Sequence, residues 1–487
     1  MMKYAILLLL CLTLAARGQI NVSRNGKFLK DSTGHPFFWL GDTSWELFHR
    51  LNREEAEEFL EIRRLQGFNV IQAVALAEFN GIREPNRYGD FPLNNEDPTQ
   101  LLVTPGSDPT NAYQYDYWDH VDYIIGLAAA KGMYVGLLPT WGDKVAHLWG
   151  EGPMIFNSQN AEAYGSILAT RYQKYHNIIW ILGGDRPAVY RSEKEGKDFD
   201  DLPVWRAMAK GIEHVLGREA FITYHPSGGK RRTTDYLLHE AWLDMHAFQS
   251  GHGSREADPW NWVRADNRLD PEKPTLDMEP CYEDHPVNPW DGKWTRQRGY
   301  FNAYDVRARI YRSVFAGGCG VTYGHHHVWQ FLNPDLYTPI NVADTLIPWR
   351  KAARAEAATE MKLLKQLMLS RPYFSRIGDN GLIASDPGST YLDVICATLD
   401  SQGSFAMVYL PQSKTIKIDL SKINGATKNV WWFDPRSGKC IAAKPVKGNG
   451  IHSFDPPQSS QDWVLVLDDA SRKFSEPGAT VFLSKDP

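Results

Sequence analysis

Eight short apolar runs, each followed by a longer stretch of helical periodicity, constrain this chain more than anything else in it. The runs are FFWLGDT (37–43), NVIQAVAL (69–76), MYVGLLPTW (133–141), NIIWILGGD (177–185), AFITYHP (220–226), LDMHAFQSGH (243–252), PTLDMEP (274–280) and GVTYGHHH (320–327). Their near-continuous hydrophobicity fits strands buried on both faces, and strands that alternate with helices build parallel sheets. The clearest intervening helix is REEAEEFLEIRRLQGF, where Asn52 caps, Glu55 completes a capping box and Gly67 supplies the stop. Further helical patterns run roughly over 117–131, 160–175, 202–216 and 302–315. Eight such units predict a (β/α)8 barrel, of roughly 250 residues plus insertions. A doubly wound open sheet is the alternative, but no glycine-rich phosphate loop follows the first run.

A barrel does not exhaust 487 residues, and two domains are expected. After a last helical segment near 350–370 the texture changes to short alternating runs, among them SFAMVYL, KTIKIDL, NVWWFDP and DWVLVLD, separated by turn residues. That pattern predicts a small antiparallel β-sandwich over 371–487 behind a barrel over 19–370, with a hairpin turn at Pro435 to Gly438. Residues 1–18 carry basic Lys3, an apolar stretch and a small-x-small site at Ala16-Arg17-Gly18, the layout of a secretory signal peptide. The apolar stretch is short for a membrane span, so a secreted or periplasmic protein is expected. Cys281, Cys319, Cys396 and Cys440 are too scattered for a zinc motif or a disulfide framework, although a Cys396 to Cys440 pair is open to an exported chain.

A net charge of −5 gives no footprint for nucleic acid. The 17 Trp and 22 Tyr residues serve equally as a large aromatic core or as flat faces for sugar rings. In barrels the active site forms at the carboxyl ends of the strands, and there the runs turn polar. They present Asp42 with Trp45 behind it, Glu78, Trp141 with Asp143, Asp185, His225, then His246, Gln249 and His252, then Glu279, and finally His325, His326 and His327. Any one alone is as readily a structural hydrogen-bonder; eight converging polar ends argue for a site. Gly183 and Gly184 clear side chains from the rim of the fourth run, so that a ligand can approach and Asp185 can project. The fourth and seventh strands face each other across the mouth, which opposes Asp185 to Glu279. Two opposed carboxylates are the minimal equipment for glycoside hydrolysis. Glu279 is the nearer candidate for nucleophile, while Glu283, further into the loop, is the second. Imidazoles also suit metals, but consecutive strand residues point to opposite faces and the first run ends in Gly41-Asp42-Thr43 rather than a His-x-His pair. No metal and no cofactor are expected. His325 or His327 would then contact sugar hydroxyls.

The block FFWLGDTSWELFHRLNREEAEEFLEIRRLQGFNVIQ, the strand WILGGDRP, the segment KPTLDMEPCYE and the eighth run GVTYGHHHVWQ together resemble the apiosidase-like bacterial glycoside hydrolases of family 140. The resemblance spans nearly the whole mature chain, including a C-terminal sandwich of the kind labelled collagen-binding. It implies an exported enzyme cleaving the bond between apiose and galacturonic acid in rhamnogalacturonan II by a retaining double displacement, with Asp185 as acid/base and a seventh-strand Glu as nucleophile. Most of the wider clan carries Asn-Glu where this chain has Gly184-Asp185. An acidic substrate calls for cations, for which Arg186, Lys144, His225 and Lys230 are candidates. The expectation is a monomer that binds a pectic glycan through Asp42, Trp45, Glu78, Trp141, Arg186, His225, His246, Gln249, His325 and His327, and no nucleic acid. A non-catalytic carbohydrate-binding or adhesion protein, a metal-dependent hydrolase, and a glycosidase acting on another plant glycan are the competing readings.

Overall fold

The computed structural model describes residues 19–487 apart from 147, 149–151, 193–194, 230, 288–293, 341–344, 458–461, 483 and 487. The signal peptide expected at 1–18 and Lys230 lie outside these residues.

All eight runs form strands, each buried at every position: β1 (Trp39–Thr43), β2 (Val70–Val74), β3 (Tyr134–Leu138), β4 (Ile178–Gly183), β5 (Ile222–His225), β6 (His246–Phe248), β7 (Thr275–Asp277) and β8 (Gly320–Tyr323). They are parallel, in agreement with their apolar character on both faces. The expected ring is not one continuous ladder. β8-β1-β2-β3-β4-β5 form a curled six-stranded sheet, and β6 pairs with β7 separately. One parallel bridge, Thr223 with Met245, joins the two sheets at one seam, and Cys319 N–H donates to Thr275 O at 3.0 Å across the other. Gln72 Nε2 on β2 donates to Met278 O just past β7 at 3.3 Å.

Helices α1 (Arg53–Leu65), α2 (Tyr117–Ala130), α3 (Ser158–Tyr172), α4 (Leu202–Leu216), α5 (Pro259–Asp266), α6 (Ala303–Phe315) and α7 (Glu356–Leu369) cover the sheet. The Asn52/Glu55 box forms as expected, and the same reciprocal cap opens α2 with Asp116 and Asp119, α3 with Asn157 and Asn160, and α6 with Asn302 and Asp305. Each satisfies amide groups that a helix start leaves orphaned.

The C-terminal region is a six-stranded antiparallel sheet faced by a two-stranded ribbon, rather than a sandwich of two comparable sheets. The strands are β9 (Arg376–Gly378), β10 (Cys396–Asp400), β11 (Phe405–Leu410), β12 (Ile416–Asp419), β13 (Thr427–Phe433), β14 (Cys440–Lys447), β15 (Ile451–Phe454) and β16 (Trp463–Asp469). The sheet order is β9-β10-β11-β16-β13-β14, and β12 pairs with β15 as the ribbon. Alternation along β11 explains the second layer. Ala406 and Val408 pack under ribbon residues Ile416 and Ile418, whereas Phe405, Met407 and Tyr409 join the core of the first domain, with the Tyr409 ring 5.0 Å from Tyr311 of α6. The Pro435 to Gly438 turn links β13 to β14, closed by Gly438 N–H donating to Asp434 O. Cys396 and Cys440 are both free, as are Cys281 and Cys319. The Cys440 thiol bonds Pro477 O while Cys396 lies beside Arg264.

Candidate active site

The exit of β4 is the most constrained backbone in the site. Gly183, Gly184 and Asp185 all have positive φ, at 86°, 120° and 42°, a conformation cheap for glycine and strained for aspartate. The glycines do not clear space for a ligand. A Cβ on Gly183 would sit 2.3 Å from His225 O, and one on Gly184 2.8 Å from the Trp141 ring, so the room is filled by protein. What the turn achieves is orientation. The Asp185 amide donates to His225 Nδ1 at 3.4 Å, and its carboxylate accepts from Gly228 N–H at 3.4 Å.

Burial raises the Asp185 carboxyl to about 6, opposed by Arg186 and reinforced by the nearby Glu279 carboxylate. Arg186 is itself buried, with Nη1 3.5 Å from Asp185 and Nη2 2.7 Å from Glu78. Burial raises Glu78 to about 8 against the pull of that guanidinium, with Asp143 and Asp185 adding to the rise. Lys144 is buried too and paired with Asp143 at 2.8 Å. Arg186 and Lys144 therefore spend their charge on protein carboxylates rather than waiting for an acidic substrate.

Glu279 lies just past β7. Its Oε2 is 3.0 Å from His225 Nε2 and its Oε1 3.7 Å from His252 Nε2. Its side chain is 6% exposed against 22% for Asp185, so one carboxylate is recessed and the other open. Trp45 and Trp141 pack at 5.0 Å from each other and within 5.7 Å of His225, forming an aromatic bed under the pair. Trp45 Nε1 donates to Tyr282 OH at 3.0 Å. Gln249 lies beside Gly228, the residue whose amide holds Asp185.

Other expected site residues sit elsewhere. Asp42 is fully buried and ion-paired at 3.1 Å with Arg63 of α1, on the helix side of the sheet. His246 opens the short strand β6 at its amino end, not at the rim, and lies 3.4 Å from Thr233 Oγ1. Burial lowers it to about 3. Glu283 accepts from Tyr323 OH at 2.7 Å and from the Ala357 amide in the first turn of α7 at 3.3 Å, which makes it a brace between strand and helix. Residues that strand-end reading did not single out are Gln72, Tyr282 and the Gly228 amide. Tyr282 stands between Glu279 and Glu283 in the chain, the one signal that pointed to it.

Among the described residues one group could hold a metal, Asp284 with His325 and His327, whose donor atoms lie within 4.8 Å of one another. His327 N–H donates to His325 Nδ1 at 3.1 Å, so the ring proton of neutral His325 is on Nε2, which lies 3.2 Å from Asp284 without hydrogen-bond alignment. That nitrogen offers a proton here, not a lone pair. His327 gives its Nε2 proton to Thr345 O at 3.0 Å, leaving Nδ1 as an acceptor.

Residues 23–375 match the family model described as the apiosidase-like catalytic domain. The chain belongs to the apiosidase-like family. Residues 377–468 of this apiosidase-like chain match a second model, "Putative collagen-binding domain of a collagenase". No curated protein matches the chain. Among solved structures, one titled "Glycoside hydrolase" is 34% identical with a TM-score of 0.80, covering 93% of this chain and 97% of its own. A glycoside hydrolase family 5 protein from Bacteroides vulgatus ATCC 8482 is 32% identical with a TM-score of 0.82, covering 96% and 97%. Family and neighbours together support glycoside hydrolase activity for the apiosidase-like chain.

Proposed function

We propose that the protein is a retaining O-glycoside hydrolase of family 140 type, its eight parallel strands forming a (β/α)8 barrel loosened at two seams, and that it releases apiose from galacturonic acid in rhamnogalacturonan II side chains. The observation that carries the reading is the pair Asp185 and Glu279, two carboxyl groups of unlike exposure, with His225 between the backbone amide of the first and the carboxylate of the second. Asp185, kept protonated by burial, gives its proton to the leaving oxygen while Glu279 attacks the anomeric carbon to form a glycosyl-enzyme ester. Asp185, now a carboxylate, takes a proton from water, which cleaves the ester and frees Glu279. Trp45, Trp141, Gln249 and His327 border the substrate, Asp42 and His246 do not, and Glu283 is structural. The leader at 1–18 would export the enzyme, without cofactor, as a secreted or periplasmic monomer.

The test is hydrolysis of an apiosyl-galacturonate oligosaccharide followed by proton NMR. Retention of anomeric configuration in the first product supports the reading; inversion, or binding without any cleavage, overturns it. Since Asp185 must be protonated and is raised to about 6, kcat/KM should fall as pH rises through about 6. Arg186 is the largest influence favouring ionised Asp185, so Arg186→Met should move that alkaline limb to higher pH; a pH-rate profile whose limb stays put would remove Arg186 from the account. Glu283→Gln should keep activity within about tenfold yet lose roughly 1–3 kcal/mol of stability in urea, because an amide accepts at only one oxygen and turns its NH2 toward the other donor.

A further inference from the structure

His225 touches both halves of the proposed machinery. It is the last residue of β5 and fully buried. A backbone amide can only donate, so the Asp185 N–H at 3.4 Å requires a lone pair on His225 Nδ1. The one ring proton of neutral imidazole is then on Nε2, 3.0 Å from Glu279 Oε2. That contact is short without full hydrogen-bond alignment, as is common in unliganded catalytic sites. A second proton on Nδ1 would meet the amide head-on. Trp45, its ring perpendicular to the imidazole at 5.5 Å, and Trp141, at 5.7 Å, confine the ring. Titratable groups facing this pair include Asp185 from the β4 exit, His252 from beyond β6, Asp277 at the end of β7, and Tyr282 from the β7 loop.

We propose that His225 is a positioning residue rather than a sugar contact: a neutral imidazole locked as the Nε2–H tautomer by the amide of Asp185, aiming the oxygen of Glu279. This rests on the two-carboxylate reading, and it gives the Gly183-Gly184-Asp185 turn its purpose. Three successive positive φ values point the Asp185 amide at the imidazole, so the backbone of the acid sets the register of the nucleophile.

Nitrogen-15 NMR of histidine-labelled protein, assigned with His225→Gln, should show His225 protonated on Nε2 and not on Nδ1. A ring that carries a proton on Nδ1 overturns the proposal, whatever the substrate. Kinetically, the amide of His225→Gln can still accept and donate, while His225→Leu does neither. The expected result is kcat reduced roughly tenfold in the first and roughly a hundredfold or more in the second, with KM within about threefold in both and circular dichroism unchanged. A rise in KM at constant kcat, or a Gln variant no better than Leu, overturns it. If the wild type hydrolyses no glycoside, the functional reading fails while the tautomer measurement stands on its own.

Discussion

Glu279→Gln is expected to lose turnover by on the order of 10⁴-fold or more while its circular dichroism and melting temperature stay close to wild type. The substitution keeps shape and leaves an oxygen within 3.0 Å of His225, but it removes the anion that must bond to the anomeric carbon. Asp185→Asn should lose roughly 10²–10⁴-fold on natural substrates, the usual contribution of a proton donor. A substrate with an activated aryl leaving group should recover much of the first step in this variant, since departure then needs no proton. Added azide should next intercept its glycosyl-enzyme as a glycosyl azide of retained configuration, because the small anion needs no general base. Azide should do nothing for wild type. A Glu279→Gln enzyme within tenfold of wild type, beside an inactive Glu283→Gln, would transfer the nucleophile's role to Glu283.

Arg307→Met should cost about 3–5 kcal/mol, the usual penalty for stranding buried carboxylates. In calorimetry that lowers the melting temperature by on the order of 10 °C. Arg307 on α6 reaches Asp462, immediately before β16, with Nε and Nη2 at 2.8 and 2.9 Å, and reaches Glu360 on α7 at 2.6 Å. All three side chains are at most 4% exposed, so solvent screens little of the interaction. Methionine fills the volume but takes from Glu360 its cation and leaves Asp462 with only Tyr409 OH at 2.9 Å and the more distant Arg436 at 3.9 Å, where the C-terminal sheet meets α6 and α7. Activity of the folded fraction at low temperature should be unchanged, since none of these residues touches Asp185 or Glu279. A loss under about 1 kcal/mol would mean that the apolar seam of Phe405, Met407 and Tyr409 holds the two regions together by itself.

Local features were the legible ones. Continuous apolar runs marked the eight parallel strands, and Asn52 with Glu55 marked a helix start, because hydrophobic periodicity and capping depend on residues a few positions apart. Strand-end polarity also flagged Asp185, Glu279, His225, Gln249 and Trp141, which the fold does bring together. The same signal failed for Asp42 and His246. Asp42 is claimed by Arg63 on the neighbouring helix, and His246 sits at the wrong end of a strand shorter than its apolar run. A polar residue near a strand end looks the same in sequence whether its partner is a ligand or an arginine from another element.

The order of residues by itself determined the alternation of strands and helices, the change to antiparallel texture near 370, and the presence of paired carboxylates at the strand ends. Tertiary structure alone decided that the eight strands divide into a curled six-stranded sheet and a separate pair, that Arg186 and Lys144 are paired with Glu78, Asp185 and Asp143, and that Glu283 braces a helix while Glu279 meets His225. The physical reason is one of range. Local conformation follows from a residue's chain neighbours, whereas the ionisation, orientation and availability of a side chain depend on burial and on charges that folding gathers from distant segments.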